Sequence, residues 1–439
     1  LYKLILKGSN KMKDNKIKPS ILPGFMELLP SEQIIFEDIV KKIRKVYEES
    51  GCLPMDNPII EKSEVLLAKS AGETEKQVYR FNKGKNDLSL RFDLTVPLSR
   101  YVAQYYNELT FPFKRYQIGK VYRGERNQKG RYREFYQCDL DIIGNGKLSI
   151  DNDGFVISVI NKAFKAIGLE NFKFQISNRK ILTSVLKYLN IENDMEVLIL
   201  IDKYEKISIS EFNNTLISYI GAEKADIINK IMNIDGSNKE ILKQLKEMNI
   251  NDDTYLKGIN ELERVLSILK ILGVYEKNYK INLKIIRGLD YYTGTVVETV
   301  LEGNEQYGSI CSGGRYDNLA ENYTKNILPG VGISIGLTRL FFVLKEIGFL
   351  NNYKVDRNER YLIIPIGDTL EACGLIKNKL EKEEKSVEIY FENTKLKKIM
   401  DYANKASFDK VIIVGEDEIK SGEFMIRNMK NGQVEKITL

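Results

Sequence analysis

The densest group of reactive side chains lies in residues 113–143. Two runs rich in Tyr, Val, Ile and Phe, YQIGKVYRGE and RYREFYQCDLDII, flank the polar stretch NQKG. They read as a long antiparallel hairpin with a basic tip. Side chains alternate across a strand, so Arg133, Phe135, Gln137, Asp139 and Asp141 share one face of the second strand. Tyr132, Glu134, Tyr136, Cys138, Leu140 and Ile142 fall on the other face, where they can pack. The first strand adds Arg123 and Glu125. A solvated sheet face would alternate in the same way. The arginines Arg123, Arg126, Arg131 and Arg133 tilt the reading toward an anion site, because guanidinium grips phosphate with two parallel hydrogen bonds.

Three more segments carry chemistry. In RGLDYYTG, residues 287–294, Arg287, Leu289 and Tyr291 share a face if the chain is extended. In SICSGGRYDNL, residues 309–319, Gly313 and Gly314 permit a tight turn or close approach of a ligand to backbone. Turns alone account for most such pairs. In GVGISIGLTRL, Gly330, Gly332 and Gly336 alternate with apolar residues and Arg339 opens a helix. Alone, that segment reads as a close-packed strand with a surface arginine.

The chain contains no histidine. Ser-His-Asp hydrolysis, Cys-His proteolysis and His-ligated zinc catalysis are excluded. What remains suits reactions driven by positioning and charge stabilisation, such as those at phosphates.

These residues need a frame. Residues 31–50 read as an amphipathic helix, with Ile34, Ile35, Ile39, Ile43, Val46 and Tyr47 on its apolar side, Ser31 as its cap and Gly51 as its stop. Pro54 and Pro58 lie in an extended segment after it. Residues 155–168 read as a helix, and residues 172–275 as a largely helical, Lys/Asn/Glu-rich inserted module. Strand character returns at 281–300 and 307–311, and residues 332–346 read as strand then helix. The polar stretch 351–359 is a linker, and the strands and helices that alternate after it predict a small α/β domain.

Bulk composition agrees with a packed protein of two or three domains: 439 residues, 43% hydrophobic and 29% charged. The net charge of +6 permits a nucleic-acid partner without requiring one. Cys52, Cys138, Cys311 and Cys373 form no C-x-x-C pair, which points to a reduced, cytoplasmic protein. No run of about 18 apolar residues predicts a membrane span. Residues 1–17 are read as a disordered N-terminal extension without a secretory signal.

Together the four segments resemble the histidyl-tRNA synthetases of class II. Residues 31–60 with Pro58 resemble motif 1; Tyr122-Arg123-Gly124-Glu125 through Asp141 resembles motif 2; residues 330–340 with Arg339 resemble motif 3. The RGLDYYTG and GGRYD segments are particular to histidine enzymes. The resemblance implies an α+β fold: a class II antiparallel sheet flanked by helices, a helical insertion and a C-terminal α/β anticodon-binding domain. The implied division is 18–170 and 279–350 for the catalytic domain, 171–278 for the insertion and 358–439 for the anticodon domain, truncated at its last helix.

The resemblance also implies roles. Arg123 binds the α-phosphate of ATP, where charge develops. Glu125 and Phe135 hold the adenine. Arg131 and Arg339 hold the far end of the triphosphate. Arg287 touches both the amino-acid carboxylate and the α-phosphate, and is catalytic with Arg123 and Gln137. Asp93, Thr95 and Gln137 accept from the substrate amino group. Asp141 accepts from one imidazole N–H, and Tyr292 or Tyr291 pairs at the other nitrogen. Gln128, in the hairpin tip, meets the acceptor end of tRNA(His). Mg2+ comes with ATP, its protein ligands unassigned, and a homodimer forms through motif 1. The rival readings are a regulatory paralogue in histidine biosynthesis, another class II synthetase, and a nucleotide- or tRNA-binding module without turnover. The intact RGLDYYTG and GGRYD segments and the full set of arginines disfavour all three.

Overall fold

A computed structural model describes residues 17–68, 73–126, 129–204, 207–285 and 292–438. They fall into two compact units that divide between Tyr353 and Lys354.

The first unit is built on an eight-stranded sheet. In chain order its strands are β1 (Leu53–Pro54), β5 (Phe113–Tyr122), β6 (Glu134–Ile143), β7 (Phe172–Asn178), β8 (Tyr279–Ile281), β9 (Thr295–Leu301), β10 (Cys311–Tyr316) and β11 (Gly330–Gly336). Their spatial order is β1-β5-β6-β11-β10-β9-β7-β8. The six inner strands are antiparallel, and the two short edge strands pair parallel to their neighbours. A smaller sheet of β2 (Ile60–Lys62), β3 (Arg80–Lys83) and β4 (Asn86–Leu90) lies in the same unit.

Period-two alternation makes the central hairpin two-faced. Cys138, Leu140 and Ile142 are fully buried on one face of β6. Helices α1 (Pro30–Glu49), α5 (Asp151–Ala166) and α12 (Leu337–Glu346) supply much of the apolar cluster around them. Phe36 of α1 meets Tyr136 edge-on, ring centroids 5.3 Å apart, and Phe341 of α12 at 5.4 Å. Among the described residues three further helices precede the hairpin: α2 (Ser63–Leu66), α3 (Glu73–Gln77) and α4 (Thr95–Gln104).

Three local expectations need correction. Ser31 does not cap α1; the helix starts at Pro30, where the missing N–H costs nothing, and its cap residue Leu29 makes no side-chain bond. Gly51, at φ +78°, does end it. Regular strand pairing begins only at Glu134, so the alternation does not extend back to Arg131. Tyr132 lies outside the paired strand, its ring 6.4 Å from that of Phe342. Glu134 is paired with Tyr122 but, being charged, accepts from Lys120 at 2.7 Å instead of packing in the core. Finally, residues 172–178 are a sheet strand and not part of the helical module. Phe172, Phe174 and Ile176, all fully buried, alternate with polar residues there, a strand signal masked by the helical sequence after it.

The helices proper are α6 (Arg179–Tyr188), α7 (Asp194–Asp202), α8 (Ile209–Ile220), α9 (Ala222–Met232), α10 (Asn238–Glu247) and α11 (Asp253–Ile271). Asn178 caps α6, Asp252 caps α11, and Ser237 with Glu240 forms a reciprocal capping box on α10. Their apolar sides join the sheet's core cluster through residues such as Phe212, Leu262 and Leu269. The helical stretch and the sheet thus share one core.

The second unit is a five-stranded sheet in the order β13-β12-β14-β15-β16. Its elements run β12 (Arg360–Pro365), α13 (Leu370–Lys382), β13 (Ser386–Ile389), α14 (Leu396–Lys405), β14 (Lys410–Val414), α15 (Glu416–Ser421), β15 (Glu423–Asn428) and β16 (Val434–Thr438). β12, β13 and β14 are parallel and carry apolar residues on both faces, Tyr361, Ile363 and Ile412 on one and Leu362, Ile364 and Val411 on the other. The alternation of strands and helices was legible; β16 was not expected. Among the described residues, no helix is long and apolar enough to cross a membrane.

Candidate active site

On the sheet face away from α1 lies a cavity of about 310 Å³. Strand register decides what points into it. One row runs Arg115 (β5), Asp141 (β6), Gly332 (β11), Gly314 (β10). The next runs Gln117, Asp139, Ser334, Ser312, Glu298. The third runs Gly119, Gln137, Gly336. The floor thus graduates from acidic and bare at one end to amide and hydroxyl beyond.

Glycine is required in the first row. A Cβ on Gly332 would stand 1.8 Å from Asp141 Oδ1. One on Gly314 would stand 2.5 Å from Thr295 O and 2.9 Å from the Tyr292 ring. Gly313 and Gly314 therefore make no turn; they lie within β10 and let its neighbours close in. The Asp141 carboxylate and the Tyr292 ring both line the cavity beside these bare positions.

Asp141 is held firmly. Tyr316 donates its hydroxyl to Asp141 Oδ1 at 2.5 Å, and Arg115 pairs with Oδ2 at 2.8 Å. Arg115 has no solvent exposure and also donates to Leu94 O at 3.0 Å. Burial pushes the Asp141 carboxyl up, opposed by Arg115 and Tyr316. Burial also raises Asp139, to about 7, with Arg115 opposing and the Asp141 charge adding to the rise. Tyr316 is raised well above the usual phenol by burial and by Asp141. Asp93, just before α4, is raised by burial while the backbone N–H groups of Val96 and Thr95, at 2.9 and 3.1 Å from its Oδ1, pull it down.

The other end of the cavity is cationic. The Arg123 guanidinium lies over two rings, 4.4 Å from the Phe92 centroid and 5.2 Å from that of Phe135, and donates through Nε to Phe92 O at 3.2 Å. Arg131 faces Glu125 at 3.5 Å. Arg339, in the first turn of α12, donates to Tyr307 O. These cations would meet an extended anion, and the half-buried ring of Phe135 a planar base.

Asp93, Thr95, Arg123, Glu125, Arg131, Phe135, Gln137, Asp141, Tyr292 and Arg339 all line this one cavity. Arg287, Tyr291 and Gln128 lie outside the described residues. Arg133 does not reach the cavity: its Nε donates to Glu125 O, and its backbone N–H to Gly24 O. Tyr316, Ser334, Ser312 and Asp139 also line it without having been assigned a role. Alternation had placed Asp139 on this face, and GGRYD had singled out Tyr316. The serines, small and common, gave no signal.

An antiparallel sheet with arginines and buried carboxylates lining one cavity, followed by a separate α/β unit, is consistent with the α+β fold of a class II aminoacyl-tRNA synthetase. A family model described as histidyl-tRNA synthetase matches residues 24–340, and one described as an anticodon binding domain matches residues 361–439. The chain is 63% identical over 426 residues to a histidine–tRNA ligase of Clostridium acetobutylicum, covering 97% of this chain and 99% of that one. It is 53% identical over 430 residues to the ligase of that name from Clostridium tetani, covering 98% of each. A crystal structure of histidyl-tRNA synthetase from Nostoc sp. PCC 7120 superposes with a TM-score of 0.88 at 35% identity, covering 96% of this chain and 97% of that one. The chain belongs to the histidyl-tRNA synthetase family.

Proposed function

We infer that the chain activates L-histidine with ATP to histidyl-adenylate and pyrophosphate, then transfers the histidyl group to the 3′ end of tRNA(His). One observation carries the reading: a cation-lined half and an acidic, glycine-floored half share a single cavity. The first suits a triphosphate and the second an imidazole with its α-ammonium.

In this reading Arg123 stabilises charge developing at the α-phosphate as the histidine carboxylate attacks. That carboxylate is already ionised, so no general base is needed and a histidine-free chain suffices. Arg287, assigned through its RGLDYYTG context, bridges carboxylate and α-phosphate, reducing repulsion between two anions that must meet. Phe135 stacks on the adenine and Glu125 bonds its edge, while Arg131 and Arg339 hold the β- and γ-phosphates. Asp93, Thr95 and Gln137 accept from the α-ammonium. Asp141 accepts from one ring N–H, with Tyr292 or Tyr291 at the other nitrogen. A buried acceptor left unpaired by a wrong side chain penalises that substrate strongly.

Mg2+ would come with ATP. Among the described residues no group of three acidic or sulfur side chains could hold a metal. Phosphate oxygens and water would therefore supply most of its ligands. Residues 18–170 and 279–350 act as the catalytic part and 171–278 as an insertion, its helical portion beginning at Arg179. Residues 358–439 read the anticodon and Gln128 meets the acceptor end. A homodimer would cover the exposed Leu53, Ile59 and Ile60 beside the edge strand β1. Four buried, free cysteines suit the reducing cytoplasm.

ATP–pyrophosphate exchange with each of the twenty amino acids, without tRNA, tests the assignment. Exchange with histidine alone is expected. Binding of histidine without exchange would instead favour a regulatory role, and exchange with another amino acid would overturn the imidazole assignment.

A further inference from the structure

Three buried acceptors on the cavity floor accept no hydrogen bond from the described residues. One, Asp141 Oδ2, is ion-paired with Arg115; the other two are Gln137 Oε1 and Asp139 Oδ1. They belong to alternate residues of β6 and so lie on one face. Ser334 links them from the neighbouring strand. Gln137 Nε2 donates to Ser334 Oγ at 2.7 Å, and the Ser334 hydroxyl bonds to Asp139. The serine therefore fixes both side chains by their other polar atoms.

A buried acceptor without a donor costs about 1–3 kcal/mol, so two together at a ligand cavity mark where donors arrive. The charges facing Asp139 narrow the choice. Arg115 on β5 faces it as a cation, while Asp141 on its own strand and Asp93 before α4 are both acidic. Arg115 is already paired with Asp141. Arg123, at the cavity's other end, also faces Asp93. Three carboxylates thus share two guanidiniums, and the balance leaves room for one further positive charge. An ammonium group carries three donors. Gln137 Oε1 and Asp139 Oδ1 supply two acceptors, and Asp93 a third.

We propose that Asp139 is a substrate-binding residue, its Oδ1 accepting directly from the α-ammonium of histidine beside Gln137. This rests on the reading of the cavity as the histidine site. Asp139 then selects for the amino group, while Asp141 and Tyr292 select for the ring.

The test compares three ligands by calorimetry on the full chain: histidine, histidinol, and imidazole-4-propanoate, which lacks the amino group. Asp139→Asn is expected to weaken histidine and histidinol by roughly tenfold to a hundredfold, the loss of a charge-assisted hydrogen bond. Imidazole-4-propanoate and ATP should bind the variant as they bind the wild type. Asp139→Ser carries the same expectation should the asparagine variant not fold. Equal weakening of all three imidazole ligands, or no weakening of histidine, would overturn the proposal. Failure of the wild type itself to bind histidine would remove the underlying reading and this assignment with it.

Discussion

Asp141 and Gly332 sit directly opposite each other on adjacent strands, and the Asp141 carboxylate occupies the space a side chain at 332 would need. Gly332→Ala would force the carboxylate off its bonds to Tyr316 and Arg115. Overpacking of this kind costs about 1–3 kcal/mol of stability. The larger effect should fall on function: histidine-dependent exchange should drop by at least about a hundredfold, a loss of two charge-assisted bonds' worth of positioning. ATP affinity, set at the far end of the cavity, should hold. Near-normal exchange in a folded Gly332→Ala variant would show that Asp141 is not the ring's acceptor.

Tyr316→Phe removes the 2.5 Å hydroxyl bond to Asp141. Hydrogen bonds to charged groups contribute about 1.5–3 kcal/mol. The KM for histidine should rise about tenfold or more, with the KM for ATP unchanged. A change in the ATP constant alone would contradict the division of the cavity into two halves.

Stability should depend on pH through Asp139. Its carboxyl is raised from 3.8 to about 7 in the folded chain. Between those values the folded state holds a proton that the unfolded chain has released. Stability therefore falls as pH rises through this window, and the penalty is complete above about 7. Asparagine does not titrate, so the Asp139→Asn variant should gain in Tm over wild type, less at pH 5 than at pH 8. Differential scanning fluorimetry across that range would read it. A gain independent of pH would mean that Asp139 is ionised throughout.

The Arg315–Asp153 pair ties β10 to α5 beneath the cavity. Its shortest contact is 2.7 Å, and Arg315 also donates to Leu148 O and Ser149 O. Removing one partner of a buried pair leaves an uncompensated charge, at a cost of about 3–5 kcal/mol. Asp153→Ala should lower the urea midpoint accordingly. Replacing both, as Asp153→Leu with Arg315→Met, should recover part of that loss. A single variant as stable as wild type would show that Arg315 finds other acceptors.

Much of this was legible in the sequence because strand alternation is a hard geometric rule. Alternation alone puts Phe135, Gln137, Asp139 and Asp141 on one face, and they line one cavity. The rule failed where regular pairing stops: Arg133 still accepts from the Arg123 backbone N–H at 2.9 Å, but its side chain goes to Glu125 O instead of the cavity. Arg115 was missed for another reason. A fully buried arginine is rare, and only its register opposite Asp141 explains it. The Gly313-Gly314 pair read more naturally as a turn, since nothing local shows that two neighbouring strands crowd it.

The register row Arg115–Asp141–Gly332–Gly314 also governs when the pocket comes into being. β6 meets β11 only after the intervening helices, β9 and β10 have been made. Contacts so distant in sequence close late and slowly. A chain growing on the ribosome therefore carries half a binding site until residue 336 has emerged, with Asp139 and Asp141 lacking their β11 neighbours. Histidine and ATP cannot assist the early stages of folding; they reward only the completed sheet.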